Sequence, residues 1–332
     1  MSDCLNWMGV SVGKSLKFFF LFFSSVMLSG FEFIVMDPYG DIALQQASLI
    51  RIAVALMLLI VVPVFFSILF FAWKYRSTNK KARYDPKWCH STLLELFVWL
   101  VPLVIVGFLA VITWDATHRM DPYAPLERIS ESKSIAKNSK PLVVEVVALD
   151  WKWLFLLPEQ QVAIINELVV PIDRPLEFRI TASSVMNSFY IPGLAGQIYA
   201  MAGMETKLHA VMNKKGAYSG FSANYSGRGF SHMRFKFYGK SEKGFEDWIS
   251  KVKRQGTFLN RQEYLLLKKP SERDSVRYFS PIEKGLYYSI LNLCVHPGKI
   301  CMDEMMRIDA LGGGGMRGID RHSLIYDEGY RQ

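Results

Sequence analysis

The chain has 332 residues, a formal net charge of +9, 51% hydrophobic residues and a positive mean hydropathy of +0.15. That length makes one or two domains with extras, and that hydropathy argues against a disordered or wholly water-solvated chain. The basic excess does not point to nucleic acid, because the positive residues cluster beside apolar segments, where they set membrane topology.

Lys14 and Lys17 precede the apolar run from Phe18 to Gly30. This is the positive n-region and short h-region of an export signal. Leu28-Ser29-Gly30 looks like the start of a lipoprotein cleavage box, but the next residue is Phe31 and not Cys, so lipid attachment there is chemically excluded. The residues leave open whether segment 1–30 is cut or stays as a signal anchor.

Ile52–Trp73 and Leu96–Trp114 are uncharged apolar runs, each long enough to span a hydrocarbon core of about 30 Å as a helix. Each holds one proline, Pro63 or Pro102, which membrane helices tolerate. Trp73 and Trp114 fall at run ends, where an indole prefers the interface. Residues 46–114 are therefore expected to form a transmembrane hairpin. Its loop carries Lys74, Arg76, Lys80, Lys81, Arg83 and Lys87 against Asp85. The positive-inside rule makes that loop cytoplasmic and sends everything after Trp114 outside. The retention of Lys14 and Lys17 inside gives the same topology.

Residues 115–140 are polar and turn-rich, a linker. Strand-like runs follow at Leu142–Leu149, Gln161–Val170, Leu176–Ala182, Thr206–Val211 and Met233–Tyr238, the spacing of a β-sandwich or barrel. Lys243–Lys253 reads as a helix with Phe245, Trp248, Ile249 and Val252 on one face. Segment 254–305 turns helical and charged, through Arg261–Lys268 and Pro281–Leu293, and segment 306–332, with Gly312–Gly315, reads as a flexible tail.

The most informative stretch runs from Thr181 to Met233. Asn187, Ser222, Asn224, Ser226, Phe230 and Met233 are spaced like the copper-binding loops of haem–copper oxidase subunit II, where a His is followed by Cys-x-Glu-x-Cys-x-x-x-His-x-x-Met. Here Asn187 stands for the first His, Ser222 and Ser226 for the two Cys, Asn224 for the Glu and Phe230 for the second His. Only Met233 is kept. A binuclear copper site needs thiolates and imidazoles, and this set offers neither. Together with Asp150-Trp-Lys-Trp153, Gln197–Met204 and Tyr225-Ser-Gly227, the pattern resembles the quinol-oxidising, cytochrome bo-type branch of the haem–copper oxidase subunit II family over roughly residues 36–290.

The resemblance implies a fold of two transmembrane helices followed by a cupredoxin-like Greek-key β-barrel at 141–253 and a helical C-terminal arm at 254–305. It implies a subunit of a proton-pumping terminal ubiquinol oxidase of the aerobic respiratory chain, in a bacterial inner membrane, with the β-domain on the periplasmic face. No cofactor is expected in this chain; haem and copper, and the ubiquinol pocket, belong to partner subunit I. Further small membrane subunits and membrane lipid are the other partners, and nucleic acid is not one.

Glu95 begins the second apolar run within Leu94-Glu-Leu-Phe-Val-Trp99-Leu-Val-Pro102. In the family the carboxylate of this context lies at the mouth of a proton-input path, which makes Glu95 the candidate for proton uptake; the alternative is an interfacial acid beside Lys87 and Arg83. Trp151 matches the aromatic that receives electrons next to copper in cytochrome c-oxidising relatives, but without copper packing or docking is the expected role. Cys294 and Cys301 fit a disulfide at least as well as a metal site with His296, Met302 and Asp303. His90, His118, His209, His232 and His322 are scattered, with surface or structural roles. Two other functions stay open: a cytochrome c oxidase subunit that lost its copper, and a membrane-anchored assembly protein with no catalytic complex. Haem absorbance of the detergent-purified protein separates the latter from the oxidase readings.

Overall fold

The computed structural model describes residues 34–82, 90–135 and 140–310. The segment with Lys14, Lys17 and Phe31, the loop positions Arg83, Asp85 and Lys87, and Gly312–Gly315 lie outside the described residues, as do Cys4, Cys89 and His322. Two long helices come first, α1 (Asp41–Lys74) and α2 (Thr92–Arg119). Both are apolar enough to cross a membrane, and their side chains are largely uncovered by protein, as at Phe66, Leu103 and Trp99. Such surface is stable only against lipid or a partner, so the protein is membrane-anchored.

At 1.5 Å per residue the 34 residues of α1 span about 51 Å, well beyond a hydrocarbon core of about 30 Å. The surplus is at its start, where Asp41, Ile42, Ala43 and Ala47 are buried against the β-domain. The amides of Tyr39 and Gly40 both donate to the Gly193 carbonyl at 2.9 Å, and the Tyr39 ring stacks on Tyr218 with centroids 3.6 Å apart. A Cβ on Gly193 would lie 2.2 Å from the Tyr39 ring, so this approach requires glycine. Buried Asp41 accepts hydrogen bonds from Gln45 Nε2 and Arg128 Nε, each at 2.9 Å. The membrane hairpin is thereby fixed to the domain at the α1 start. The C-terminal end of α1 and the N-terminal end of α2 are at the opposite end.

A small hairpin, β1 (Arg128–Ser130) and β2 (Lys133–Ser134), precedes the main body. That body comprises β3 (Leu142–Leu149), β4 (Lys152–Leu157), β5 (Val162–Ile165), β6 (Glu167–Pro171), β7 (Pro175–Ala182), β8 (Asn187–Tyr190), β9 (Ile198–Ala200), β10 (Thr206–Val211), β11 (Gly216–Ser222) and β12 (Arg234–Lys240). After helix α3 (Glu242–Gln255) come β13 (Thr257–Leu259), helix α4 (Arg261–Lys268), β14 (Arg277–Ile282) and helices α5 (Leu286–Leu291) and α6 (Met302–Ala310). One sheet has the order β10-β7-β3-β4-β5-β14-β13 and the other β6-β12-β11-β8-β9. The class is the expected one: two apolar helices, a cupredoxin-like β-domain and a C-terminal region with short helices.

Three local differences have physical causes. The run Gln161–Val170 is two strands, because the chain passes between sheets at Asn166 in the left-handed region (φ 56), which Asn tolerates. The arm after residue 254 is not only helical: it adds β13 and β14 to the larger sheet. Within Pro281–Leu293, β14 continues to Ile282 and helix begins only at Leu286, after left-handed Gly285. Strands β4, β8, β9 and β11 are also present where the sequence shows no strand-like alternation. For β4 the reason is burial of every residue. Its Trp153 and Phe155 face the core between the sheets, with Phe178, Phe189 and Phe235, while Leu154 and Leu156 face a second core under Tyr264, Leu267, Leu286 and Ile290 of the arm. A strand covered on both faces has no reason to alternate.

Candidate functional site

The copper-like positions do come together. Asn187 opens β8 and is 1% exposed; Ser222 closes β11 and is 3% exposed. Antiparallel pairing of β11 with β8 brings them side by side, Ser222 being the register partner of Phe189. Ser222 Oγ donates to Asn187 Oδ1 at 3.1 Å, with the Asn224 carbonyl 3.3 Å away. Asn187 Nδ2 donates to the Val185 carbonyl at 3.1 Å, and Asn224 Nδ2 to those of Met186 and Tyr225 at 3.3 Å. Phe230 packs edge-on to Tyr225, with ring centroids 5.7 Å apart. Met233 is 1% exposed within the main core.

The copper that this fold family can hold does not fit these residues. Their donors are amides, hydroxyls and one thioether turned to packing; Ser222 bonds Asn187, the two amides bond backbone carbonyls, and the buried Ser226 hydroxyl has no partner among the described residues. Thiolate bridges, which a binuclear centre needs, have no counterpart. Among the described residues no three His, Cys, Asp or Glu side chains gather to hold a metal.

Trp151 stands over the same loop. Its Nε1 donates to the Ser226 carbonyl at 2.9 Å, and Arg228 lies against its ring at 5.9 Å. A Cβ on Gly229 would come within 2.4 Å of the indole, and Gly227 has φ 103. Both glycines are therefore required, one by close approach and one by backbone conformation.

Glu95 lies in the first turn of α2, half exposed. His90 Nδ1 is 2.7 Å from its Oε1, and His90 Nε2 is 3.1 Å from Thr92 Oγ1. The sequence reading gave His90 no particular role, and the structure places it on Glu95. The separation of five residues is too long for a helical pair; His90, which precedes the helix, reaches forward to its first turn. Of the other described histidines, His118 contacts the Trp114 carbonyl, His209 the Pro122 carbonyl and His232 the Arg273 guanidinium.

Cys294 and Cys301 form a disulfide with Cα atoms 4.7 Å apart. This corrects the metal alternative for that loop, since disulfide sulfurs are not thiolate ligands.

Two polar groups escaped the sequence reading. Lys152 is 1% exposed, with Nζ donating to the Lys269 carbonyl at 2.9 Å and to Ser271 Oγ, and lying 3.3 Å from Asp274 Oδ2. It ties β4 to the segment joining α4 to β14. The available signal was a lone lysine inside the apolar run Trp151–Leu157, a position that needs a partner. On β3, burial pushes the Glu145 carboxyl up to about 7, with Arg179 opposing and Glu205 adding to the rise. Tyr287 of α5 donates to Glu205 at 3.2 Å, and Arg179 is paired with Glu177 at 2.8 Å.

The "Cytochrome C oxidase subunit II, periplasmic domain" family matches residues 137–237, and the "COX Aromatic Rich Motif" family matches 253–298, the arm that covers β3–β5. The cytochrome bo(3) ubiquinol oxidase subunit 2 of Pseudomonas putida is 47% identical over 271 residues, 82% of this chain and 83% of that protein. The ubiquinol oxidase subunit 2 of Acetobacter aceti is 47% identical over 268 residues, 81% of this chain and 85% of its own. The cytochrome bo(3) ubiquinol oxidase subunit 2 of Buchnera aphidicola subsp. Schizaphis graminum is 40% identical over 293 residues, covering 88% and 98%. Identity at this level, sustained over both the helical and the β segments, means that the chain belongs to the ubiquinol oxidase subunit 2 family.

Proposed function

We propose that this chain is the non-redox second subunit of a proton-pumping ubiquinol oxidase, in which ubiquinol is oxidised and oxygen reduced within partner subunit I. The observation that carries the reading is the loop of Asn187, Ser222 and Asn224. It keeps the frame of a copper site but is closed by neutral hydrogen bonds. The loop therefore offers electrons no centre on which to stop, and haem, copper and quinol are assigned to the partner. The chain contributes an anchor in the inner membrane and a rigid cover over the outer face of subunit I. Lys74, Arg76, Lys80 and Lys81, at the end of the hairpin remote from the β-domain, set that end in the cytoplasm.

Glu95 is assigned to proton uptake at the cytoplasmic end of α2, with His90 as its partner. A carboxylate and an imidazole in contact can pass a proton between them without separating charge over distance. Support comes from the position of Glu95 at the membrane boundary, where an ionisable group is costly unless used or paired.

Purification of the complex in mild detergent tests the reading. The expected preparation shows haem absorbance, oxidises ubiquinol, and lacks a near-infrared mixed-valence band. Such a band, or oxidation of reduced cytochrome c in place of quinol, overturns it; a colourless free chain favours an assembly protein. A reporter active only outside the cytoplasm should work when fused after Ala116 and fail within Ser77–Lys81, and the reverse would refute the orientation.

A further inference from the structure

Two adjoining depressions occur where the membrane hairpin meets the β-domain. The first, of about 420 Å³, is polar and mixed in charge, lined by Asp41 of α1, Asp115, His118 and Arg119 of α2, and Glu127 and Arg128 beyond it. The second, of about 480 Å³, is an open apolar groove along α2 from Val106 through Ala110 and Thr113 to Thr117. His118 lines both, so one continues into the other.

Their depths fit within one membrane leaflet. Trp114 marks the interface end of the apolar run, and Asp115, His118 and Arg119 follow it within about two turns, at headgroup level. The eight residue steps of helix from Val106 to Trp114 rise about 12 Å, most of the about 15 Å for half of a 30 Å hydrocarbon core. A polar cavity at headgroup level that opens onto an apolar groove most of one leaflet deep has the form of a phospholipid.

The charges narrow the class. Arg119 and Arg128 each use Nε on a carboxylate, Asp115 and Asp41 respectively, both at 2.9 Å. Their terminal guanidinium nitrogens make no hydrogen bond among the described residues, and such nitrogens bind phosphate in pairs. Three carboxylates beside two guanidiniums repel a purely anionic headgroup but accommodate one that carries its own ammonium. We propose that this junction binds one zwitterionic phospholipid of the phosphatidylethanolamine type, its phosphate on Arg119 and Arg128, its ammonium toward Asp115 and Glu127, and one acyl chain in the α2 groove. The lipid seals the gap between hairpin and β-domain that the linker leaves.

The test uses the assembled complex, washed in mild detergent and analysed for retained phospholipid by mass spectrometry. Asp115→Asn combined with Arg119→Gln removes both charges of the α2 rim while keeping polar side chains there. The variant should retain one mole of phosphatidylethanolamine less per mole of complex than the wild type. An unchanged count, or loss of an anionic lipid instead, overturns the proposal. Should the double variant fail to assemble, a benzophenone side chain at Thr113 decides in an otherwise native complex. Crosslinking to phospholipid is expected, and crosslinking to a neighbouring protein subunit overturns the assignment.

Discussion

Removing either partner of the buried pair Lys152–Asp274 should have unequal effects. Lys152 is 1% exposed, while the Asp274 side chain is 19% exposed and has Arg277 3.8 Å away and Ser271 Oγ donating to it. Asp274→Asn strands an ammonium in the interior with only neutral acceptors, the Lys269 carbonyl, the Ser271 hydroxyl and the new amide oxygen, to meet it. Breaking a buried pair in that way costs about 3–5 kcal/mol, and those neutral acceptors place this case at about 3. Lys152→Met removes the buried charge and leaves an Asp274 that still reaches solvent, Arg277 and Ser271, which costs about 1 kcal/mol. For a domain of this size each kcal/mol moves Tm by about 2–4 °C. Thermal unfolding of the full chain in detergent should therefore show Asp274→Asn lowered by roughly 6–12 °C and Lys152→Met by roughly 2–4 °C. Equal losses, or the opposite order, would refute the account of Lys152 as a buried charge held by the arm.

Burial raises the Glu145 carboxyl from its ordinary 4.5 to about 7, so the folded chain binds a proton that the unfolded chain has released between those values. Stability should therefore rise as pH falls from about 7 toward 4.5, and Glu145→Gln should flatten that part of the profile and raise Tm at pH 8. Glu95→Gln should leave haem content and assembly intact while slowing ubiquinol oxidation by about tenfold or more, with Glu95→Asp between; normal turnover would make Glu95 an interfacial acid, and loss of subunit I would make it structural. His90→Ala, which leaves the carboxylate in place, should slow turnover less than Glu95→Gln. The joint change of Cys294 and Cys301 to Ser opens a closure with a sequence separation of 7, and should cost about 2–3 kcal/mol, measured by denaturant unfolding under oxidising conditions.

The membrane hairpin was legible in the sequence because its signal is compositional: apolar runs long enough to span, with Trp and basic residues at their ends. The copper-like loop was legible because six positions hold fixed spacing, and strand pairing brings Asn187 and Ser222 together. The double burial of β3–β5 was not, because it depends on the arm from Arg261 to Ile290 returning over a sheet formed a hundred residues earlier. For the same reason Lys152 reads locally as a strand residue, although its partners are 117 and 119 positions away. His90 was missed differently: a side chain reaching forward from outside a helix leaves no periodicity. Asn166 and Gly285 divide elements by backbone conformation, which a hydrophobic pattern does not register.

A loop shaped around a metal keeps its shape without one only if other contacts bind the same segments. Those contacts are identifiable here. The Ser222–Asn187 hydrogen bond joins β11 to β8, where shared metal ligands would have joined them. Met233 secures the following strand by burial among core side chains, a role that a thioether fills as well as a leucine would. Trp151 secures the intervening turn, its Nε1 on the Ser226 carbonyl and its ring on Gly229. Trp151 itself has φ 64, an unusual conformation for a bulky residue. Such a conformation persists where surrounding contacts over-determine it, and here the hydrogen bond and the glycine contact do so. An aromatic at this position can thus remain for a reason unrelated to electron transfer: it is the clamp that holds the loop once the metal is gone.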